Sequence, residues 1–125
     1  MLAVILGASL GAGGAMAFEE CKMPESPGIP DGKTVTESEL LKAQKAVKDY
    51  IASVEGYLAC TEREQAKAQV LALKSSLKFT PGEQAIWNDR YNAGIDAQTK
   101  LADLFNAQIR LYKARMAENA PAEKH

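Results

Sequence analysis

The chain has 125 residues, 46% hydrophobic and 25% charged, with 15 Lys plus Arg set against 16 Asp plus Glu. That length accommodates one domain, and the apolar content is sufficient for most of it to fold. The near-zero net charge provides no overall basic field for a phosphate backbone, which argues against nucleic acid as a partner.

Residues 1–17, MLAVILGASLGAGGAMA, carry no charge. An apolar run that loosens into Gly and Ala and ends Ala15-Met16-Ala17 has the form of a secretory signal peptide cleaved before Phe18. It is too short and too rich in Gly for a membrane span, so no stable span is expected after cleavage. No Lys or Arg precedes the run, and the alternatives are a retained anchor or a start upstream of Met1. In an oxidising compartment the two cysteines, Cys21 and Cys60, permit one intramolecular disulfide, which is the expected pairing; an intermolecular bridge is the rival. The single histidine is the last residue, His125. No Cys/His metal set can be assembled from it.

Residues 18–35 form a Pro-rich segment expected to be extended. Pro24, Pro27 and Pro30 recur every third residue, the period of a polyproline II helix, so they share one edge. Such an edge docks on aromatic side chains. The stripe Ala43, Ala46, Tyr50, Ser53, Tyr57, Cys60, spaced 3,4,3,4,3, supplies two tyrosines and ends on a cysteine. Thr36 to Cys60 measures about 36 Å as helix, and the 15 residues from Cys21 to Thr36 span about 46 Å as polyproline II. The excess is enough for a turn, which Pro30-Asp31-Gly32 provides. The segment is therefore expected to run antiparallel along the first helix, with Pro24, Pro27 and Pro30 over Tyr50 and Tyr57. The rival is an exposed ligand for an SH3-like partner.

Residues 36–117 are expected to form a long antiparallel helical hairpin, making the fold all-α. Thr36 with Glu39 is a capping box, and Val35 with Leu40 a hydrophobic staple. Leu40, Gln44, Val47, Ile51, Val54, Leu58 and Thr61 then follow one helix face at heptad spacing. The polar stretch 61–69 is either a solvated length of the same helix or a break giving three helices. Val70, Leu73 and Leu77 restore the stripe, and the helix is expected to reach about residue 77. Thr80, Pro81 and Glu83 start a second helix, 81–117. Its stripe is Tyr91, Ile95, Gln98, Ala102, Phe105, Ile109, Tyr112 and Met116, flanked by Leu101, Leu104 and Leu111. Folding back at the turn puts Phe105 near Ser53 and Tyr112 near Ala46. Residues 118–125 are polar and are expected to be a disordered tail.

The catalytic motifs with a physical signature are absent: no G-x-S-x-G, phosphate loop, H-E-x-x-H or acidic calcium loop occurs. No serine has a histidine partner. Glu37/Glu39 and Glu62/Glu64 are carboxylate pairs in charge-rich helical surface, explained by capping and solvation. Tyr50, Tyr57, Trp87, Tyr91, Phe105 and Tyr112 fall at helical spacing and are expected to pack. The basic residues of IRLYKAR (109–115) offset a helix C-terminal dipole. No cofactor, metal or small-molecule substrate is implied.

CxxPxxPxIPDG, followed by KAQKAVKDYIASVEGYLAC and RYNAGIDAQTKLADLFNAQIRLYKAR, resembles a family of small secreted proteins of Gram-negative bacteria. The shared positions are Cys21, Pro24, Pro27, Pro30, Asp31, Gly32, Tyr57, Leu58 and Cys60. The resemblance implies a helical fold and a periplasmic location, and it assigns no activity.

The width of the apolar face of helix two exceeds what one partner helix covers. A non-enzymatic protein acting by protein binding or self-association is therefore expected, with Tyr91, Ile95, Leu101, Leu104, Phe105, Leu111 and Tyr112 as interface candidates. A chaperone-like or envelope-stress protein holding unfolded clients is the alternative. Non-reducing mass mapping of the secreted protein is expected to find an N-terminus at Phe18 and one peptide pair joined through Cys21 and Cys60; a free Cys21 thiol would refute the staple.

Overall fold

The computed structural model describes residues 20–120, so the expected signal peptide, 1–17, and residues 121–125 of the expected tail lie outside the described residues. It comprises two long helices, α1 (Glu37–Lys74) and α2 (Pro81–Glu118), packed against each other as a hairpin. An extended segment, residues 20–31, precedes them. No strand occurs among the described residues.

Both helices start where their caps place them. The Thr36 side chain accepts from the Glu39 backbone N–H at 3.1 Å, and the Glu39 carboxylate accepts from the Thr36 N–H at 3.0 Å. Those bonds to Thr36 hold the Glu39 carboxyl below the usual glutamate range, so this cap stabilises the ionised form and weakens on acidification. Thr80 and Glu83 repeat the box at α2, with Pro81 at the first helical position. There the missing proline N–H costs nothing, because that donor has no intrahelical partner.

α1 is unbroken through 61–69. Thr61 and Glu64 are buried there, so one side of the polar stretch is part of the packed face. The helix ends at Lys74, three residues short of the expected 77. Ser76 adopts φ 59° and the Leu77 N–H bonds back to the Ala72 carbonyl at 2.8 Å. This is a Schellman closure with a serine in the left-handed position. It reverses the chain before Leu77 can continue the stripe, and Val70, Leu73 and Leu77 are exposed.

The core is built from Ala43, Val47, Tyr50, Val54, Tyr57 and Leu58 of α1 with Leu101 and Phe105 of α2. Its register is set at Gly94. A Cβ there would lie 2.7 Å from Leu58 Cδ2 and 3.1 Å from the Tyr57 ring, so the missing side chain lets α2 press onto α1. Tyr57 also donates its hydroxyl to the Arg90 carbonyl at 3.0 Å. With Gly94 against Tyr57 and Leu58, Phe105 lies eleven residues (105 − 94) along α2, level with Ala46 and Val47. The expected placement beside Ser53 is thus corrected by about two helical turns, and Ser53 is exposed. Projecting the register from the turn alone misses the closest approach of the two helices.

The extended segment closes the structure at its other end. Asp31 accepts from the backbone N–H groups of Thr34 and Val35 through its carbonyl, and from Lys33 through its side chain at 2.9 Å. Val35 is buried beneath the entry to α1. Gly32 does not need a left-handed backbone. It is required because a Cβ would sit 2.1 Å from the Gln108 carbonyl oxygen, while its N–H donates to Gln108 Oε1 at 2.7 Å. Gly32→Ala is therefore expected to destabilise the fold by about 2 kcal/mol or more, since backbone must move. Gly94→Ala is expected to cost less, because Leu58 Cδ2 is the tip of a flexible side chain. Denaturant unfolding of both variants tests this order.

Candidate functional site

Cys21 and Cys60 are joined, with Cα atoms 5.7 Å apart and a sequence separation of 39. From this bond the segment 21–31, here called the strap, runs back along α1 to the Asp31 turn. Its half-buried residues are the three prolines, Cys21 and Ile29, and of these Cys21 and Ile29 pack against the core. Lys22, Met23, Glu25, Ser26 and Gly28 are exposed. One edge of a three-residue helix thus faces the hairpin. Pro30 lines a surface depression with Ala43, the far end of the stripe that finishes at Cys60. The strap's course therefore passes over that stripe, in which Tyr50 and Tyr57 are buried.

Arg115 fixes the strap's other end. Its guanidinium donates to the Lys33 carbonyl at 2.7 Å and to the Val35 carbonyl, and it lies over the Tyr112 ring at 5.3 Å. Sequence reasoning assigned the basic residues here to the helix dipole. The clue was the planar fork of Arg, which can serve two carbonyls at once.

The strap occupies only one side of the hairpin. At 3.6 residues per turn, Tyr57 and Cys60 fall on one flank of the α1 core stripe, and Leu40, Gln44 and Ile51 on the other. On α2, Leu104, Gln108 and Leu111 lie on the strap side of Leu101 and Phe105, whereas Ile95, Ala102 and Ile109 lie opposite. The second flank forms a groove with no strap in it. Its walls Leu40, Ile51, Ile95 and Ile109 pack against the core while remaining half-exposed.

The interface candidates on α2 thus divide. Leu101 and Phe105 are buried inside the hairpin. Tyr91, Ile95 and Tyr112 are half-buried, and Leu104 and Leu111 are exposed. Only the last five keep surface for another molecule.

Beside the disulfide lies a cleft of about 420 Å³, lined by Glu20, Cys21, Tyr57, Thr61, Glu64, Trp87 and Arg90. Glu64 is not the solvated carboxylate expected from its neighbours in sequence. It is 1% exposed and ion-paired with Lys67 at 2.9 Å. A buried carboxylate needs such a partner. Arg90 stacks on Trp87 at 4.8 Å and caps the cleft wall. Glu62 is exposed, Glu37 is exposed in the first turn of α1, and Glu39 is committed to its cap. Among the described residues no group of three or more His, Cys, Asp or Glu converges to hold a metal ion. No described helix is long and apolar enough to cross a membrane.

No protein-family model, no curated protein and no solved structure matches this chain. Its class is therefore defined by its geometry: a two-helix hairpin with a disulfide-anchored polyproline-type strap in one groove.

Closing a loop of about 40 residues is worth nearly 4 kcal/mol in the chain-entropy picture. Cys21→Ser/Cys60→Ser is expected to lose roughly that much in denaturant unfolding, and limited proteolysis is expected to cut within 22–30. Arg115→Ala is expected to cost about 1.5–3 kcal/mol, the scale of hydrogen bonds to a charged group. Arg115→Lys should recover little of it, because an ammonium cannot fork.

Proposed function

We propose that this protein is a non-enzymatic helical hairpin of the periplasm or extracellular space that acts by protein–protein binding, with a second copy of itself as the first occupant. The observation that carries this is the open groove. A hairpin buries each helix on one side and the strap covers one flank, which leaves Leu40, Ile51, Ile95 and Ile109 half-exposed along the other. Both walls retain heptad spacing, the period at which another helix interdigitates. A two-fold pairing through this face is self-complementary and makes a four-helix arrangement with both straps outside. The leader-like residues 1–17 support secretion. The disulfide supports an oxidising compartment.

Sedimentation of the oxidised mature protein is expected to show a concentration-dependent dimer. Ala102→Glu places a charge in the middle of the groove, at a position half-buried in the hairpin itself, and is expected to weaken the dimer at least tenfold (about 1.4 kcal/mol) with the helical melt retained. A wild-type chain that stays monomeric, or an Ala102→Glu dimer of unchanged affinity, would reject the groove. A monomer that suppresses aggregation of an unfolded client would move the assignment to the chaperone class.

A further inference from the structure

We infer that the hairpin tip is a docking surface for an anionic phospholipid membrane. This is separate from the groove and does not rest on it. The strap ends at Cys60, yet α1 continues to Lys74, and past Glu64 it carries no buried residue. That uncovered end is leucine-rich. Leu73 is 78% and Leu77 67% exposed, and Val70, Leu71 and Ile86 are also exposed. Isolated exposed apolar side chains need no explanation, but five within seventeen residues at one end of a molecule do.

Charge separates this end from the rest. Residues 65–88 hold Lys67, Lys74 and Lys78 against one acid, Glu83, a net of +2. The whole chain is −1, so the remainder is −3 (−1 minus +2). Glu83 is turned back onto Thr80 in its capping box and Lys67 pairs with Glu64, which leaves Lys74 and Lys78 to set the character of the extremity. A second tip would bring like charges together. An anionic surface is the complementary occupant.

The shape favours lipid over a protein groove. Val70 and Leu73 lie roughly 60° apart on one side of α1 while Leu71 points about 160° away from Leu73, and Leu77 and Ile86 add exposed apolar side chains at the turn and on α2. A partner protein would have to surround a convex knob, whereas acyl chains solvate apolar groups in any direction. Amphipathic segments bury their apolar face about 5–10 Å into the headgroup–acyl boundary. Trp87, the seventh residue of α2, is about 9 Å above Pro81 along the axis. It would then lie at headgroup depth, where Trp with a cationic neighbour is favoured, and Arg90 stacks on it. An apolar insertion with a basic flank supplies the two signals that stable peripheral binding requires.

Trp87 is the only tryptophan, so its fluorescence reports directly. The oxidised mature chain is mixed with phosphatidylglycerol/phosphatidylcholine vesicles and, separately, with pure phosphatidylcholine vesicles. A blue shift and co-sedimentation are expected on the anionic vesicles, with affinity falling as salt rises. Leu73→Ser/Leu77→Ser, both at exposed positions, is expected to lose at least about tenfold in partitioning. Lys74→Glu/Lys78→Glu should lose the anionic preference, roughly fivefold per lysine. Ala102→Glu should bind vesicles as wild type does. No partitioning to anionic vesicles, or equal partitioning by the leucine variant, would overturn the inference. So would a lipid-free oligomer that disappears in Leu73→Ser/Leu77→Ser, which would make the tip a protein interface.

Discussion

Everything in this fold depends on the bond between Cys21 and Cys60. Two helices touching along one line enclose little volume, and small folds without a deep core need a staple or a further layer. The disulfide supplies both. It reduces the unfolded chain's freedom, and it anchors an extended segment whose Cys21 and Ile29 pack against the core. Polyproline II suits that position because it has no internal hydrogen bonds and leaves its backbone solvated. A third helix would need its own apolar face; the strap needs only an edge.

The staple alone would leave the strap hanging from one point. Its other end is held by contacts of a different kind: the Asp31 turn, the Gly32 approach to Gln108, and the Arg115 fork onto Lys33 and Val35. These tie the strap to α2, whereas the disulfide ties it to α1. The strap thus bridges the two helices diagonally and resists their sliding. Gly94 resists the same motion from inside, since only there does α2 lack a side chain against Leu58.

What was legible in the sequence was whatever is encoded locally. The capping boxes at Thr36 and Thr80, the proline at the start of α2 and the three-residue beat all depend on neighbours within four residues, and each appears as expected. The Cys21–Cys60 link was legible for another reason: two cysteines and a chain of known reach leave few ways to close. What escaped notice depends on distant residues meeting. Gly94 sets the helix register only because Leu58 is opposite, and nothing near position 94 announces it. Arg115 reads as a dipole partner until Lys33 is beside it. Glu64 reads as solvated surface until the cleft closes over it. The stop at Lys74 also escaped, because a serine in the left-handed position is not an ordinary helix terminator.

The placement of the disulfide also accounts for the molecule's asymmetry. Fourteen residues of α1 (74 − 60), about 21 Å, extend past Cys60 without a third layer. The last buried residue of α1 is Glu64, so its final turns add nothing to the buried face. Instead this stretch carries Val70, Leu71 and Leu73, and Leu77 follows in the turn. These exposed side chains lie outside the hairpin's buried core. The strap thus divides the described residues into a stapled body and an end of α1 that carries exposed apolar side chains beside Lys74.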